Sequence, residues 1–248
     1  MKIETDGLVI REQAVRESDK VITVLTGDRG VITAYAAGAK NIKNSKCAAT
    51  SLLTYSQFNL YKGHERYTVD DAHSKELFID MRTDIDKLSL AQYFCELAAV
   101  VVPEGENSKE ILRLALNSLY LLNKGSRPNE FLKAVFELRL MALCGFMPNL
   151  ICCAECGCYE HEQMRFYPDD GTLLCGDCAG ITKKHSIITG MGATTAMRHC
   201  IYAEFDKLFA FSLSESSLPV FERAAEEFTL AQLGRGFKTL DFYKMIKT

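Results

Sequence analysis

The sequence lacks any apolar run long enough to cross a membrane or to serve as a signal peptide. A membrane-spanning helix needs about 20 apolar residues, and the strongest apolar stretch, residues 97–102, is far shorter. The apolar residues near the N-terminus are interrupted by Arg11 and Glu12, so no export signal is evident. We therefore expect a cytoplasmic protein whose 10 cysteines are thiols or metal ligands rather than disulfides.

Catalytic motifs and an excess of positive charge are also missing. The sequence has no Walker phosphate-binding loop, no G-x-S-x-G motif and no H-E-x-x-H motif, so several catalytic classes lack a candidate site. Its 29 basic residues face 32 acidic ones, which gives a formal net charge of −3, whereas nucleic-acid-binding domains are often basic. We expect a protein that binds rather than catalyses, and any nucleic-acid site must be local.

The first 80 residues have the pattern of a small β-barrel. Five short runs rich in Val, Ile, Thr, Tyr and Phe are separated by turn signals. The segment Gly-Asp-Arg-Gly at residues 27–30 suits a tight antiparallel hairpin between the second and third runs. Five strands without intervening helical periodicity fit a closed OB-type barrel better than a parallel sheet or a sandwich. We place an OB-fold nucleic-acid-binding domain at residues 1–80.

Beyond residue 80 the apolar period changes to that of helices, which predicts a helical domain at residues 81–248. Its first helix is expected to start at a capping box formed by Thr83 and Asp86 and to end before Pro103. Further helices are predicted at residues 108–123, 128–144, 192–208 and 217–233, the last ending within residues 233–240. The helical pattern breaks at about residues 146–180, which carry most of the cysteines. The predicted fold class is therefore α+β: an N-terminal OB-type β-barrel followed by an all-α domain with an inserted four-cysteine zinc-binding segment.

The cysteine-rich segment has the spacing of a metal site. Cys153 and Cys156 form one C-x-x-C pair, and eighteen residues later Cys175 and Cys178 form another. Two such pairs complete a tetrahedral shell of thiolates, which leaves no open position for water or substrate. The spacing predicts one structural Zn²⁺, and a thioredoxin-like redox pair is disfavoured because the segment lacks a βαβ context. Cys152 could compete as a ligand, but Cys153 is favoured because it alone makes the C-x-x-C spacing.

The remaining isolated cysteines suggest packing rather than chemistry. Free cysteine behaves as a small hydrophobe and is among the most buried residue types. We expect this role for Cys47, Cys95, Cys144 and Cys200.

The segment from residue 29 to residue 63 carries a local excess of positive charge. It contains no Asp or Glu and five basic residues, which are Arg29, Lys40, Lys43, Lys46 and Lys62. Three of the lysines fall at three-residue intervals in a loop after the third strand, where ammonium groups can follow a phosphate backbone. The competing interpretation is a solvated, positively charged loop.

Aromatic residues near this loop favour nucleic-acid binding. Tyr35 and Tyr61 could stack bases beside the charges, as aromatic residues of OB-fold proteins do. Strand alternation places Tyr55 and Tyr61 on one face and Phe58 on the other, so these residues cannot all stack bases. The predicted nucleic-acid-binding set combines the five basic residues with Tyr35 and Tyr61.

Several stretches of the sequence match the signatures of one protein family. They are G-L-V-I-R at residues 7–11, E-S-D-K-V-I-T-V-L-T at 17–26 and G-V-I-T-A-Y-A-A-G-A-K at 30–40. In the second half they are G-F-M-P-N-L at 145–150, C-A-E-C-G at 153–157, G-T-L-L-C-G-D-C at 171–178 and L-G-R-G-F-K-T-L at 233–240. The first three resemble the OB-domain signature of the RecO family of recombination mediators and DNA repair proteins, and the others resemble its zinc segment and last helix. The resemblance covers nearly the whole chain.

The resemblance implies a non-enzymatic DNA repair and recombination mediator of the bacterial cytoplasm, associated with the nucleoid. Such a protein binds single-stranded and double-stranded DNA and anneals complementary strands. With RecR it helps to load RecA, an indirect partner, onto DNA coated by single-stranded-DNA-binding protein, whose C-terminal tail it contacts through the helical domain. No membrane partner is implied. Lys133 and Arg139 are candidate rim charges for the tail, although each is expected on a solvated helix face.

An alternative function remains open at this point. A barrel with a zinc segment suits RNA as well as DNA on physical grounds. The second hypothesis is therefore an RNA-binding or transcription-associated zinc protein.

Overall fold

The computed structural model describes residues 1–63 and 66–247, and these residues form two compact units. The first unit comprises Met1–Ser126 together with the C-terminal segment that begins at Phe237, and the second comprises Arg127–Gly236. The first unit thus contains helices as well as the barrel. The division into domains at residues 80 and 81 stays a prediction.

The first unit is built on a closed five-stranded barrel with the strand order β1-β2-β3-β5-β4. The elements in chain order are β1 (Lys2–Ala14), β2 (Lys20–Thr26), β3 (Val31–Ala36), α1 (Lys46–Ala49), β4 (Thr54–Lys62) and β5 (Tyr67–Leu77). Strand β1 pairs antiparallel with both β2 and β4, and a short parallel pairing of β3 with β5 closes the barrel. The five strands and their closure confirm the predicted OB-type barrel.

Strand alternation decides which side chains fill the barrel. On β4, Phe58 is fully buried, whereas Tyr61 is 54% exposed and Tyr55 lies on the same outward side as Tyr61. Successive residues of a strand point to opposite faces, so the predicted separation of these aromatic residues is confirmed. The interior is filled by small and branched side chains from all five strands, among them Val9, Ile22, Val24, Ile32, Ala34, Leu60 and Val69.

The hairpin between β2 and β3 is anchored to the loop at residues 103–108. The two strands pair antiparallel as predicted. Gly30 has a φ of +64°, and a Cβ atom there would lie 1.9 Å from the carbonyl oxygen of Pro103. Ser108 Oγ donates a 2.6 Å hydrogen bond to the carbonyl of Thr26. A larger residue than glycine would therefore separate this turn from the loop.

Two helices follow the barrel in the first unit: α2 (Ile85–Val101) and α3 (Lys109–Lys124). The predicted capping box at Thr83 is wrong, because Asp84 is the N-cap of α2. Its carboxylate accepts hydrogen bonds of 3.1 Å from the backbone N–H groups of Asp86 and Lys87, which is the usual role of an N-cap aspartate. The Thr83 hydroxyl instead donates to the carbonyl of Asp80.

The C-terminal helix belongs to the first unit and was not predicted. The second unit's last helix ends at Leu233, and the chain resumes as a separate helix at Lys238–Ile246. Phe237 and Leu240 are buried, and Glu96 of α2 accepts hydrogen bonds from the backbone N–H and the hydroxyl of Thr239 at 3.2 and 2.5 Å. We expected the segment 233–240 to be the end of one helix, but it connects two helices.

The second unit is helical with a small sheet. Its elements are α4 (Asn129–Leu143), β6 (Arg165–Tyr167), β7 (Thr172–Leu174), β8 (Ile187–Ile188), α5 (Gly190–Tyr202) and α6 (Leu218–Leu233), and the helix Lys238–Ile246 of the first unit is α7. The three strands form an antiparallel sheet in the order β7-β6-β8. As predicted, the cysteine-rich segment interrupts the helices. No helix in the described part of the chain is long and apolar enough to cross a membrane.

Lys133 and Arg139, expected on a solvated face of α4, are both engaged inside the second unit. Lys133 is fully buried, and its Nζ atom lies 3.0 Å from a carboxylate oxygen of Glu137 and 2.8 Å from one of Glu226. Arg139 donates a 2.7 Å hydrogen bond to the carbonyl of Ile201, near the end of α5. The expectation of solvated side chains is wrong: Lys133 is buried because carboxylates pair with its ammonium group, and Arg139 is partly buried because carbonyls accept from its guanidinium.

Candidate metal centre and nucleic-acid interface

The second unit brings the four predicted cysteines together. The Sγ atoms of Cys153, Cys156, Cys175 and Cys178 all lie within 4.8 Å of one another. A tetrahedral site with metal–sulfur distances of about 2.3 Å requires sulfur–sulfur distances of about 3.8 Å, and the Sγ atoms of Cys156 and Cys175 are 3.6 Å apart. The donor set therefore fits a metal ion that takes four thiolates.

Backbone hydrogen bonds shape the two turns that carry these cysteines. In the first turn, the N–H of Gly157 donates to the carbonyl of Cys153 at 3.0 Å, and Gly157 has a φ of +73°. In the second, the N–H of Cys178 donates to the carbonyl of Cys175 at 3.1 Å. Cys152 lies outside this cluster of sulfur atoms. The geometry thus favours Cys153 over Cys152.

The thiols of the cluster differ in their readiness to ionise. Burial raises the pKa of Cys153, but hydrogen bonds from the backbone N–H groups of Cys156, Cys175 and Glu155 outweigh it and bring the pKa to about 6. Hydrogen bonds with the thiols of Cys175 and Cys156 raise the pKa of Cys178. The Cys153 thiolate forms readily, and its negative charge opposes ionisation of Cys178. A coordinated cation removes this opposition, because metal ions deprotonate the thiols that bind them.

The four isolated cysteines divide into two groups. Cys95 and Cys200 are buried as predicted, and burial raises the pKa of Cys95 to about 12. Cys47 and Cys144 are only partly buried, so the expectation that all four are buried hydrophobes is wrong for these two. Burial still raises the pKa of Cys144 to about 11, which keeps that thiol protonated at neutral pH.

On the first unit, three strands of the barrel carry the predicted aromatic residues into one outward-facing row. Tyr35 of β3 is opposite Thr68 of β5, and Thr68 is opposite Tyr61 of β4. Neighbouring strands are about 4.8 Å apart, so the Cα atoms of the two tyrosines are separated by two strand spacings, about 10 Å. The row offers two aromatic side chains on one face.

Asp19 fixes Tyr35 in place. The Tyr35 hydroxyl donates to the Asp19 carboxylate, which also accepts a 2.8 Å hydrogen bond from the backbone N–H of Gly38. The Gly38 N–H and the Tyr35 hydroxyl hold the pKa of Asp19 below its usual value. The carboxylate therefore stays charged at neutral pH and joins the β1–β2 turn, strand β3 and the start of the basic loop.

Two arginines that the sequence did not single out lie beside Tyr35. The guanidinium carbon of Arg66 is 5.1 Å from the centroid of the Tyr35 ring, within the range of a cation–π contact. The hydrogen bond to Asp19 and burial raise the pKa of Tyr35, and the positive charges of Arg16 and Arg66 oppose that rise. No local sequence motif marks either arginine, because the pairing of strands that are distant in the sequence brings both of them close to Tyr35.

The basic loop, residues 37–46, is folded by its own asparagines. Asn41 Oδ1 accepts a hydrogen bond from the N–H of Lys43, and Asn44 Oδ1 accepts one from the N–H of Lys46, both at 3.0 Å. These are Asx turns. Lys40 Nζ lies 3.3 Å from the carbonyl of Arg16, which ties the loop to the β1–β2 turn. Lys40 and Lys43 are exposed, whereas Lys46 is partly buried.

The remaining predicted binding residues lie at different places on the barrel. Lys62 follows Tyr61, and its Nζ atom is 5.2 Å from the ring centroid of Tyr67. Arg29 lies in the β2–β3 turn, at the end of β3 opposite to Tyr35, where its Nε atom is 3.3 Å from a carboxylate oxygen of Asp28. The structure thus brings Tyr35 and Arg66 together, ties Lys40 to the neighbouring β1–β2 turn and leaves Arg29 apart from them.

The chain combines an OB-type barrel, whose outer face carries aromatic and basic residues, with a cluster of four cysteines that could hold a metal ion. These features define a class of protein: an OB-barrel protein with a four-cysteine cluster suited to a structural metal ion. The family models of the recombination protein O N terminal and C terminal regions match residues 1–78 and 82–241, respectively. The chain belongs to the recombination protein O (RecO) family of DNA repair proteins.

Curated relatives support this assignment over the whole length. The chain is 32% identical to "DNA repair protein RecO" of Acetivibrio thermocellus over 244 residues, covering 98% of this chain and 97% of the relative. It is 29% identical to the protein of the same name from Symbiobacterium thermophilum, with 98% and 97% covered. The protein of that name from Alkaliphilus metalliredigens is 35% identical over 181 residues, with 73% and 74% covered.

Proposed function

We propose that the protein is a DNA repair and recombination mediator that binds single-stranded DNA on the outer face of its barrel. The observation that carries this proposal is the row of Tyr35 and Tyr61, with the basic loop following Tyr35 and Lys62 following Tyr61 in the chain. Bases stack on aromatic rings regardless of their identity, and ammonium groups neutralise the phosphates between them. Because the chain as a whole has more acidic than basic residues, a local group of basic and aromatic residues is a specific feature of this face.

Arg66 has a defined part in this proposal. Its guanidinium covers the Tyr35 ring in the free protein, at the position where a base would stack. An incoming base displaces it, and the displaced guanidinium is then free to pair with a phosphate. Asp19 meanwhile holds the tyrosine hydroxyl, so the ring keeps its orientation throughout.

Annealing follows from the same chemistry. Two complementary strands repel one another through their phosphates, and lysines that neutralise phosphates and release counterions lower that repulsion. The bases are contacted by their faces rather than by their edges, so the edges stay available for pairing. Double-stranded DNA is bound more weakly, because its bases are already stacked on each other.

The four cysteines hold one Zn²⁺ whose role is structural. Four thiolates close the coordination shell, so water cannot be activated there and the protein has no catalytic function at this centre. The energy of metal binding contributes to the folding of the cysteine segment.

The proposed partners are RecR, the C-terminal tail of single-stranded-DNA-binding protein and, indirectly, RecA. With RecR the protein helps to load RecA onto coated single strands in the cytoplasm, next to the nucleoid. This part of the proposal is supported by membership of the RecO family, whose relatives carry the name DNA repair protein.

The test is a binding titration with fluorescent oligonucleotides of equal length: single-stranded DNA, duplex DNA and RNA. We expect single-stranded DNA to bind tightest, with affinity that falls as salt rises. Mixing complementary strands with the protein should speed their annealing. Tighter binding of RNA than of DNA would overturn the proposal in favour of an RNA-binding zinc protein.

A further inference from the structure

A buried arginine of α5 reaches across to the segment that carries the first cysteine pair. Arg198 is 7% exposed. Its Nε atom donates to the carbonyl of Leu150 at 2.6 Å, and its Nη2 atom donates to the carbonyls of Ile151 and Tyr159 at 3.1 and 2.8 Å. These carbonyls lie on both sides of Cys153 and Cys156 in the chain. One guanidinium therefore holds the two ends of this segment together.

The same guanidinium is covered by an aromatic ring. Its central carbon is 4.0 Å from the centroid of the Tyr159 ring, a close cation–π contact. Within the segment, the N–H of Cys153 donates to the carbonyl of Cys158 at 2.8 Å. Backbone hydrogen bonds therefore close the segment from inside, and Arg198 closes it from outside.

We propose that Arg198 is a positioning residue for the metal centre: it holds the first cysteine pair in the conformation that faces the second pair before the metal arrives. The inference rests on the proposed metal binding at the four cysteines. Without Arg198, metal binding must also order the segment, and ordering a segment opposes binding. Residues that orient metal ligands from outside the coordination shell typically change metal affinity by about 10- to 100-fold when replaced.

The planar fork of the guanidinium is what the three carbonyls require. Arginine presents five N–H donors in a fixed arrangement, whereas lysine has one flexible ammonium group. Arg198→Lys keeps the positive charge but cannot reach all three carbonyls in the same way. This variant therefore separates geometry from charge.

The experiment measures metal affinity by competition with a chromophoric chelator, using Zn²⁺, and records the thiolate absorption of the Co²⁺-loaded protein. We expect Arg198→Lys to weaken Zn²⁺ binding by about 10- to 100-fold. The matched control is Arg139→Lys. Like Arg198, Arg139 donates to a backbone carbonyl and lies near an aromatic ring: its Nη1 atom is 2.7 Å from the carbonyl oxygen of Ile201, and its guanidinium carbon is 5.4 Å from the centroid of the Phe205 ring. The carbonyls that Arg139 contacts belong to α5 and not to the cysteine segment. This control should bind Zn²⁺ like the parent.

A second readout distinguishes positioning from a general contribution to folding. Thermal unfolding is measured for parent and variants, each with Zn²⁺ and after removal of the metal by a chelator. Positioning predicts that Arg198→Lys reduces the increase in melting temperature that Zn²⁺ produces. An equal loss of melting temperature with and without metal, together with parental affinity, would overturn the inference.

A milder variant covers the case in which Arg198→Lys does not fold. Tyr159 is 56% exposed, so Tyr159→Leu removes the stacking ring without opening a cavity. We expect about two- to fivefold weaker Zn²⁺ binding, the worth of an exposed cation–π contact; unchanged affinity would overturn the inference. If the parent protein bound no metal, the proposed metal centre itself would be refuted. That result differs from one in which the parent and the variants bind Zn²⁺ equally well, which refutes only the role of Arg198.

Discussion

Removing the charges of the basic loop should change the salt dependence of DNA binding by a calculable amount. Each lysine that neutralises a phosphate of a single strand contributes about 0.7 to the slope of log affinity against log salt. Replacing Lys40, Lys43 and Lys46 by alanine therefore removes about 2 units of slope if all three make full contacts. Between 50 and 200 mM salt the parent should then lose about 20-fold more affinity than the variant. The Asx turns use asparagine side chains and backbone atoms. The backbone N–H of residue 40 still donates to the carbonyl of Ser18 when the Lys40 side chain is removed, so the loop should keep its fold.

The assay is fluorescence anisotropy of a labelled single strand at several salt concentrations, with circular dichroism to check folding. The control replaces three lysines of α2 and α3 in the same unit, Lys87, Lys109 and Lys124, and so makes the same change in net charge. It should keep the parental slope. If the loop variant folds and keeps both affinity and slope, or if both triple variants lose the same slope, the loop is a solvated surface and the binding face lies elsewhere.

Three further predictions concern the metal, the buried ion pair and Asp19. The purified protein should contain about one zinc, and replacing Cys175 or Cys178 by serine should abolish it and lower the melting temperature, because metal-binding energy is folding energy in such sites; metal analysis that finds no zinc under reducing conditions would contradict this. Lys133→Ala leaves the buried carboxylate of Glu137 without its ammonium partner and should destabilise the protein by about 3–5 kcal/mol in urea unfolding; a loss below 1 kcal/mol would refute the buried pairing. Asp19→Asn should lower the melting temperature at neutral pH, because the pKa of Asp19 in the folded protein lies below its ordinary value of 3.8; the charged form then stabilises the fold above that pH, and the difference from the parent should disappear as the pH falls through the lowered pKa. A difference that persists unchanged at pH 3 would argue against the role of the charge.

The parts of the fold that depend on local pattern could be predicted from the sequence. Alternation placed Tyr55 and Tyr61 on the face of the strand opposite to Phe58, and the two C-x-x-C pairs identified the cysteines that meet. Both inferences use spacing over a few residues, where backbone geometry leaves few choices.

The parts that depend on distant partners were beyond the sequence. Arg66 meets Tyr35 only because β5 pairs in parallel with β3, and a parallel closure leaves no turn signal. Lys133 is buried because it has partners on α4 and α6, although its residue type indicates a solvated position. The C-terminal helix was missed because the nine residues of α7 are too few for a strong periodic pattern, and packing on α2 holds them.

The measurement that tests the central claim most directly compares three outward-facing tyrosines of the barrel in single-strand binding. Tyr35→Ala and Tyr61→Ala should each weaken binding by about 5- to 150-fold, the worth of about 1–3 kcal/mol per stacked base, and Tyr35→Phe should restore most of the loss because it keeps the ring. Tyr55→Ala should bind like the parent, since Tyr55 lies six residues before Tyr61 on β4 and its ring is 5.7 Å from Lys75 Nζ. Parental affinity in Tyr35→Ala and Tyr61→Ala, or the same loss in all three alanine variants, would contradict single-strand binding on this face.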